Sequence, residues 1–559
     1  MTETVLILGA TGLFGGLLAR QLLAAGSFEV VCAGRDAAKL TTLCAAHGGR
    51  PVAIDRARRA DVDQALATLR PFAVVDAAGP FQDYGTDPYA FARAVIKSGA
   101  HYLDIADAAE FVAGIAGLDA LAKEHGVAAM SGASSTPALS AAAVDGLIEG
   151  LAEIEVIETA ILPGNRTPRG RSVMRAILRQ VGQPVRVMRD GEWHEARGWS
   201  LTKRYDVVVP GHRALRGRYA SLVNTPDLVL FPDRYGARTV LFRAGLELGL
   251  FHHGLRAARW LVQGRLLPTL AVLADPAVRI ASWFRHTGSD RGGMVVQVIG
   301  RTAEGRREAR AWHLIAADGH GPKIPVQPVV VLLEKLRAGR IPAGARPCLG
   351  EVTLSELEEA MGAFGVVTRR HTHQLPSLFE RVLGNELDRL PHAIGALHRG
   401  YGRNIYAGRA QIDGPDGWLA WLAARLAGFP PASRDVPVKV TIDATPEREV
   451  WTRQFGTRCF RSVLTWDRRT GRAVERFGSL AFTLGLARAG DELHYPVLSG
   501  RLLGVIPLPR LVLPVSVTRE HVDAAGRFCF DVRVELWSGR RIAHYRGVLE
   551  PWPQARRKA

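Results

Sequence analysis

Short apolar runs alternate with helix-length amphipathic segments along the first 130 residues. Six runs have the nearly continuous hydrophobic character of buried parallel strands. They are Thr4–Leu8, Glu29–Ala33, Pro51–Ile54, Phe72–Ala77, His101–Ile105 and Val127–Met130. Helical segments between such strands predict a parallel sheet with helices on both faces, which is an α/β Rossmann domain.

The pattern changes beyond residue 130. An apolar stretch interrupted by arginines, Leu241–Phe284, predicts long helices. From about Leu375 the chain becomes persistently β-like, and every second residue of Phe528–Trp537 is apolar. We therefore predict three domains: a Rossmann domain over 1–130, an α+β substrate domain over 131–370, and an antiparallel β-rich, barrel-like C-terminal domain over 375–555.

A glycine triplet stands between the first predicted strand and the first predicted helix. Gly9, Gly12 and Gly15 supply a sharp turn, a close approach without Cβ atoms, and a helix N-terminus whose free N–H groups meet phosphates. Thr11 and Phe14 belong to the same loop. Because the loop lies inside a complete βαβ unit, it predicts a dinucleotide site.

The end of the second strand should distinguish NADP from NAD. Arg35 can pair with a 2′-phosphate and stack on adenine, whereas an NAD enzyme usually has a carboxylate here. Asp36 either takes that carboxylate role or caps the next helix. Asp55, after the third strand, either reaches the adenine or is an acid at a helix N-terminus. We predict NADP as the cofactor.

Three segments, in this order and spacing, resemble the saccharopine dehydrogenase-like reductases: the glycine loop, Ala78–Gly85 and His101–Asp107. The sequence departs from that family at two points. Asp104 is followed by Ile-Ala-Asp instead of a Gly-Glu pair, and Ser134–Ala138 replaces a proline-glycine turn. Both departures argue against saccharopine as the substrate.

The resemblance also implies roles for residues at two strand ends. Ala78, Gly79 and Pro80 would contact the ribose and nicotinamide half of the cofactor. Tyr102 and Asp104 would lie at the carboxyl end of their strand, where ligands bind in open α/β sheets. We nominate them as catalytic proton donors, Tyr102 first, with structural support of the nicotinamide pocket as the alternative.

The C-terminal part resembles an uncharacterised domain found fused to such reductases, through Tyr401–Ile412 and Leu502–Pro514. This resemblance supplies no chemistry. The apolar face of the predicted sheet forms either a core or a pocket for a hydrophobic ligand.

Composition and missing motifs exclude several classes. The net charge is +18, but only eight of the 72 basic residues are lysine and the arginines are scattered, so we expect no nucleic-acid binding. None of the ten tyrosines is followed four residues later by lysine, which excludes the short-chain dehydrogenase pair. His252 with His253, and His371 with His373, lack a third ligand, so we expect no metal.

Five cysteines without a CxxC pair indicate reduced thiols and a cytoplasmic protein. No apolar stretch is long enough to span a membrane without charges. The basic segment Leu248–Val262, which contains Trp260, is compatible with a peripheral contact at the inner face of the membrane.

The leading hypothesis is an NADP-dependent oxidoreductase that transfers a hydride to a hydrophobic or bulky small molecule, including lipid-like ones. Leu241–Phe284, the apolar β face and a further resemblance to lipid-pathway enoyl reductases of mycobacteria support this substrate class. Two alternatives stay open. One is a reductase of an amino acid or imine, for which Asn165–Arg171 would provide arginines; the other is a non-catalytic NADP-sensing or lipid-binding protein. The sequence does not predict the oligomeric state.

Overall fold

The chain folds into two compact units, which we describe separately. The computed structural model describes residues 2–167, 171–445 and 448–552. The first unit is Met1–Glu304 with Glu308–His373, and the second is Gly305–Arg307 with Gln374–Ala559.

The first unit begins with a parallel sheet flanked by helices. Its first six strands are β1 (Thr4–Leu8), β2 (Glu29–Gly34), β3 (Arg50–Ala53), β4 (Ala73–Asp76), β5 (His101–Asp104) and β6 (Ala128–Ser131). Its helices are α1 (Leu13–Ala25), α2 (Ala37–His47), α3 (Arg59–Leu69), α4 (Ala90–Lys97), α5 (Ala109–Gly114), α6 (Asp119–Glu124) and α7 (Ser140–Asp145). The strand order β6-β5-β4-β1-β2-β3 and the parallel pairings confirm the predicted Rossmann-type sheet.

Burial on both faces explains why these strands are continuously apolar. Val5 and Ile7 of β1 pack into one hydrophobic cluster, while Leu6 and Leu8 pack into another on the opposite face. All four are at most 2% exposed. A strand covered by helices on both sides has no polar face to show in its sequence.

A second, mixed sheet of seven strands follows in the same unit. Its segment of the chain contains β7 (Leu151–Leu162), α8 (Arg171–Gln180), β8 (Pro184–Arg189), β9 (Glu192–Arg197), β10 (Lys203–Val207), β11 (Leu215–Leu222), α9 (Pro226–Tyr235), β12 (Thr239–Gly245), α10 (Gly249–Gln263), α11 (Ala274–Trp283), β13 (Gly292–Thr302) and β14 (Arg307–Ala316). The unit ends with α12 (Gln327–Arg337), β15 (Gly344–Pro347), α13 (Leu354–Gly362) and β16 (Val367–Gln374). The sheet order is β10-β11-β12-β7-β13-β14-β16, and β8 and β9 form a separate hairpin.

Two elements of this region differ from the predictions. The stretch Leu241–Phe284 does not begin as a helix: its first residues belong to β12, which pairs in parallel with β7. A short apolar run is compatible with either a buried strand or a helix, and here tertiary pairing decides. The unpredicted strand β15 pairs in parallel with β6 and becomes the seventh strand of the first sheet.

The second unit is built on one antiparallel sheet of 13 strands. Its elements are α14 (Leu378–Leu383), α15 (His392–His398), β17 (Gly402–Asp413), α16 (Trp418–Ala427), β18 (Ser433–Ala444), β19 (Arg448–Phe455), β20 (Arg458–Asp467), β21 (Arg472–Phe477), β22 (Leu480–Leu484), β23 (Ala487–Ala489), β24 (Glu492–His494), β25 (Val497–Leu502), β26 (Ile506–Pro507), β27 (Val515–Val522), β28 (Phe528–Glu535) and β29 (Arg541–Pro551). The order β23-β24-β27-β28-β29-β17-β18-β19-β20-β21-β22-β25-β26 confirms the predicted β-rich domain.

Strands distant in this order contribute to one apolar cluster. Leu493 of β24 and Leu484 of β22 both belong to it, together with Phe528 and Trp451 from the middle of the sheet. The sheet must therefore curl around a common interior. Among the described helices of both units, none is long and apolar enough to cross a bilayer.

Candidate functional site

The glycine loop between β1 and α1 has the geometry of a phosphate cradle. Gly9 has φ +83°, and a Cβ at this position would lie 2.7 Å from the Ala77 carbonyl oxygen. A Cβ at Gly15 would lie 2.3 Å from the Gly9 carbonyl oxygen. Only glycine fits at either position, because the obstructing atoms are backbone.

The first turn of α1 leaves N–H groups available for an anion. Gly12 is the N-terminal cap residue and provides no side-chain cap, and the first turn contains no acidic residue. The N–H groups of Leu13, Phe14 and Gly15 precede the first possible hydrogen bond within the helix, so they can bind phosphate oxygens. Thr11 is exposed beside them.

The structure assigns Asp36 to its helix and leaves the Arg35 side chain exposed at the carboxyl end of β2. Asp36 caps α2 by accepting a hydrogen bond from the Lys39 N–H at 3.1 Å, and its carboxylate pairs with the Lys39 ammonium at 3.0 Å. The Lys39 N–H is the main reason that the pKa of Asp36 is lowered. Arg35 is exposed directly after β2, and its contact with a 2′-phosphate stays a prediction.

Asp55 lies in the turn after β3 and not in the first turn of a helix. Its Oδ1 accepts a hydrogen bond from the Ala57 N–H at 3.1 Å, and α3 starts only at Arg59. The adjacent Arg56 stacks on the Tyr84 ring at 3.4 Å. The adenine contact of Asp55 remains a prediction.

The turn after β4 packs against the glycine loop. The atoms nearest to the Cβ position of Gly9 are the carbonyl group of Ala77 and the Cα of Ala78. Ala78, Gly79 and Pro80 are half-buried, and the Gly79–Pro80 peptide is cis. The residues predicted to hold the pyrophosphate and the nicotinamide half of the cofactor are thus brought together.

Two buried carboxyl groups lie side by side at the carboxyl ends of β4 and β5. Asp76 and Asp104 are direct partners across the two parallel strands, and both are fully buried. The Tyr84 hydroxyl donates to the Asp76 carboxylate at 3.0 Å, as does the Ala78 N–H. Tyr102 is 1% exposed and precedes Asp104 by two residues, so it lies on the same face of β5.

Asp104 is anchored through one oxygen only. Its Oδ1 accepts hydrogen bonds from the Gly132 N–H at 2.8 Å, the Ser131 hydroxyl at 2.9 Å and the Ala106 N–H at 3.0 Å. Its Oδ2 is buried and has no hydrogen-bond partner among the described residues. One oxygen therefore fixes the side chain, while the other is available to a proton.

Burial allows the carboxyl pair to keep one proton up to near neutral pH. Loss of solvation raises the pKa of Asp76 to about 6 and that of Asp104 to about 7, and the charge of Asp76 adds to the effect on Asp104. Burial and the same two carboxylates raise the pKa of Tyr102 well above its usual value. Two interacting carboxyls with raised pKa values titrate as a pair, so the cluster holds a proton when exposed aspartates are ionised.

A third buried carboxyl reaches the loop after β6 from a distant part of the chain. Asp227, in the first turn of α9, is 1% exposed and accepts a hydrogen bond from the Thr136 hydroxyl. Its Oδ2 has no partner within the described ranges, and burial raises its pKa to about 7. The loop turns at Gly132, where a Cβ would lie 2.4 Å from Cδ of Pro137.

The paired histidines take structural positions. His252 is buried, with Nε2 3.0 Å from the Ser221 hydroxyl, and burial lowers its pKa to about 4. His371 Nε2 lies 3.1 Å from the Val208 carbonyl oxygen. The residues that the structure describes contain no group of three or more His, Cys, Asp or Glu side chains able to hold a metal ion.

Sequence reasoning did not identify Asp76, Tyr84 and Asp227 as site residues. Asp76 lies in an apolar run, and its position at a strand end was its only signal. Tyr84 reaches back over the turn to Asp76, and Thr136 and Asp227 are 91 residues apart. Such pairings depend on the tertiary fold.

Two parts of the chain match known domain families. Residues 5–130 match the saccharopine dehydrogenase NADP binding domain, and residues 390–549 match a domain of unknown function, DUF4166. Both resemblances drawn from the sequence are confirmed, and the first supports a nicotinamide cofactor. The chain has no significant match among curated proteins.

Solved structures show similarity over about two thirds of the chain. Apo saccharopine dehydrogenase (L-Glu forming) from Saccharomyces cerevisiae is 15% identical over 66% of this chain and 100% of its own, with a TM-score of 0.48. GenD2 from gentamicin A biosynthesis, solved in complex with NAD, is 14% identical over 66% of this chain and 96% of its own, with a TM-score of 0.30.

Proposed function

We propose that the chain is an NADP-dependent oxidoreductase that reduces a hydrophobic or bulky small molecule by hydride transfer. The observation that carries the proposal is the juxtaposition of a glycine phosphate loop with a buried, proton-holding carboxyl pair at the same edge of one parallel sheet. Open α/β sheets bind dinucleotides and their substrates at that edge. Bound NADPH would supply the hydride, and the protein supplies orientation and a proton.

The glycine loop, Arg35 and the Ala78–Pro80 turn would hold the two halves of the cofactor. The proton that accompanies hydride transfer would come from the group nearest the substrate. Asp104 has the unpartnered Oδ2 and a pKa near 7, whereas Tyr102 is buried and its pKa is raised well above its usual value. This favours Asp104 as the acid and Tyr102 as structural support of the nicotinamide pocket.

The experiment that tests this function measures NADPH oxidation by the full-length protein with enoyl thioesters and with cyclic imines. Turnover of either class supports an oxidoreductase, and turnover of enoyl thioesters alone supports the hydrophobic substrate class. Tyr102→Phe should lower turnover more than NADPH affinity. Tight NADPH binding without turnover on any substrate would favour the non-catalytic NADP-sensing or lipid-binding alternative.

The amino-acid alternative depends on an arginine cluster, and part of that cluster is already engaged. Asn165 donates to the carbonyl oxygens of Phe284 and Thr287 at 2.8 and 3.0 Å. Arg166 lies 3.7 Å from Asp290. The central part of the segment, residues 168–170, lies outside the described residues.

Arg35→Ser tests the choice of cofactor. We expect the Kd for NADPH to rise about tenfold to a hundredfold, because a charge-assisted hydrogen bond to phosphate contributes roughly 1.5–3 kcal/mol. The Kd for NADH should change less than about twofold, since NADH has no 2′-phosphate. Titration of cofactor fluorescence measures both constants.

Arg50→Ser is the matched control, because Arg50 is exposed at the amino end of β3, on the opposite edge of the sheet. It should leave both constants unchanged. If Arg35→Ser raised the Kd for NADPH and the Kd for NADH equally, Arg35 would not contact the 2′-phosphate.

We also propose that the surface of α10, α11 and the connection between them contacts an anionic bilayer. Leu250, Trp260, Leu266 and Trp283 are 64–77% exposed there. An open cleft of about 920 Å³ beside Trp260 is lined by Arg197, Arg259 and Arg265, among others. Exposed tryptophan and leucine next to arginine suit a lipid interface with negative headgroups.

Trp260→Ala should reduce binding to phosphatidylglycerol vesicles about tenfold in a flotation assay, because insertion of a large aromatic side chain contributes roughly 1.5–3 kcal/mol. Trp193→Ala, which removes a partly exposed indole from β9, is the control and should bind as the wild type does. Equal binding to neutral phosphatidylcholine vesicles, or no effect of Trp260→Ala, would contradict this contact.

A further inference from the structure

The curled sheet of the second unit lines an apolar cavity of about 850 Å³ that is partly open to solvent. Aromatic side chains form much of its wall, including Phe455, Phe460, Phe482, Phe528 and Phe530. Protein interiors are close-packed, and voids larger than a water molecule are few. A space of this size is instead within the range of small-molecule pockets, about 300–1,000 Å³.

One part of the wall is polar, and its buried charges are compensated within the chain. Arg453 donates to the Ser462 hydroxyl at 2.7 Å and to Glu475 at 3.3 Å. Glu520 Oε2 lies 2.5 Å from His398 Nε2. Among the described residues that line the cavity, no buried cation is left uncompensated and able to bind a carboxylate or phosphate. The remaining charged side chain of the lining, Arg461, is exposed.

Tyr545 adds a neutral donor to this polar part. Its side chain is 6% exposed and lines the cavity, within range of the charges of Arg453 and Glu475. Burial raises the pKa of its hydroxyl to about 12, so the group stays protonated and can donate a hydrogen bond. A neutral ester or hydroxyl oxygen is the complementary acceptor.

The segment between β25 and β27 shows where a ligand would enter. Leu508, Val512 and Pro514 line the cavity, and Val512 is itself 64% exposed. In the same segment, Leu503, Val505 and Leu511 are 67%, 74% and 67% exposed. We call residues 502–514 the apolar lip. Two exposed arginines, Arg501 and Arg510, flank and interrupt it.

We propose that the second unit is a binding site for a neutral lipid, which enters from a bilayer through the apolar lip. An exposed apolar patch of this kind marks an interaction surface, and flanking arginines suit lipid headgroups. The acyl chain occupies the aromatic cavity, and its ester or hydroxyl oxygen faces Tyr545. The inference does not depend on the proposed reductase activity of the first unit.

The test uses the full-length protein and phosphatidylcholine vesicles that carry radiolabelled hexadecyl acetate or radiolabelled hexadecanoate. The protein is separated from the vesicles, and the label bound to it is counted. We expect uptake of about one hexadecyl acetate per chain, and at least about fivefold less hexadecanoate. Preference for hexadecanoate would overturn the neutral-lipid assignment, and no uptake of either would overturn the site.

A matched pair of variants on β27 separates the interior from the surface. Ser516 lines the cavity, whereas the adjacent Val517 is 53% exposed on the outer face. Ser516→Trp fills the cavity and should reduce uptake at least about fivefold, while Val517→Trp adds the same ring outside and should not reduce it. Wild-type uptake by Ser516→Trp would contradict the cavity as the site.

Two further variants keep the test informative if Ser516→Trp does not fold. Tyr545→Phe removes one hydroxyl and should lower uptake of hexadecyl acetate about threefold to tenfold. Leu511→Asp places a charge on the lip, so it should slow uptake from vesicles but leave uptake from detergent micelles unchanged. Equal loss from both sources would mean that the lip does not mediate transfer from a bilayer.

Discussion

Gly15→Ala is expected to abolish NADPH binding in practice, with an increase in Kd of about a hundredfold, or ~3 kcal/mol. The added Cβ would lie 2.3 Å from the Gly9 carbonyl oxygen and 2.8 Å from the Gly9 carbonyl carbon. Neither atom belongs to a flexible side chain, so α1 must move away from the loop. The N–H groups that we assign to the phosphates then lose their position.

Titration of intrinsic fluorescence with NADPH measures this effect, and thermal unfolding shows whether the variant is folded. Gly117→Ala is the control, because no atom lies within 4 Å of a Cβ at Gly117. It should bind NADPH as the wild type does. If Gly15→Ala is folded and retains wild-type affinity, the glycine loop does not hold the cofactor.

Asp104→Asn is expected to change how stability depends on pH. The pKa of Asp104 is about 7 in the folded protein, against 3.8 for a free aspartate. Folding therefore favours the protonated form, and the wild type loses stability as pH rises from about 4 through about 7. Asparagine does not ionise, so the variant avoids a cost on the order of 4 kcal/mol at alkaline pH.

The expected readout is a melting temperature that declines less with pH in the variant than in the wild type, by several degrees between about pH 4.5 and 8. The comparison across pH matters, because the buried amide costs stability equally at every pH. Asp63→Asn serves as the control, since Asp63 is 52% exposed and pairs with Arg59 across one helical turn. Parallel pH profiles for Asp104→Asn and the wild type would show that Asp104 is ionised normally.

The local sequence was sufficient to predict most of the site residues that lie at a strand end or in a turn. The glycine loop and Arg35 follow strands whose apolar character is unmistakable, so their edge of the sheet was predictable. The role of Asp36 was decided by a single local hydrogen bond, to the Lys39 N–H. That bond is a helix cap, one of two alternatives that the sequence left open.

The parts of the site and of the fold that the sequence did not predict depend on contacts between residues that are distant along the chain. Asp227 joins the site because α9 packs near the loop that carries Thr136. The alternation in Phe528–Trp537 correctly predicts one apolar face. The space in front of that apolar face is filled or left empty by side chains from other strands, such as β20 and β22. The periodicity of β28 contains no information about those strands. Core and cavity have the same sequence signature.

The position of β15 has a consequence for the synthesis of the protein. The outer partner of β6 is β15, which consists of residues 344–347. Residue 344 pairs with Ala128, and the ribosome adds it 216 residues after Ala128. At about 5–20 residues per second, the ribosome leaves that edge uncovered for roughly 10–40 s. A fragment that ends near residue 130 would keep the edge uncovered permanently and would be prone to intermolecular strand pairing. The smallest soluble piece that retains the cofactor site is therefore expected to extend beyond residue 347.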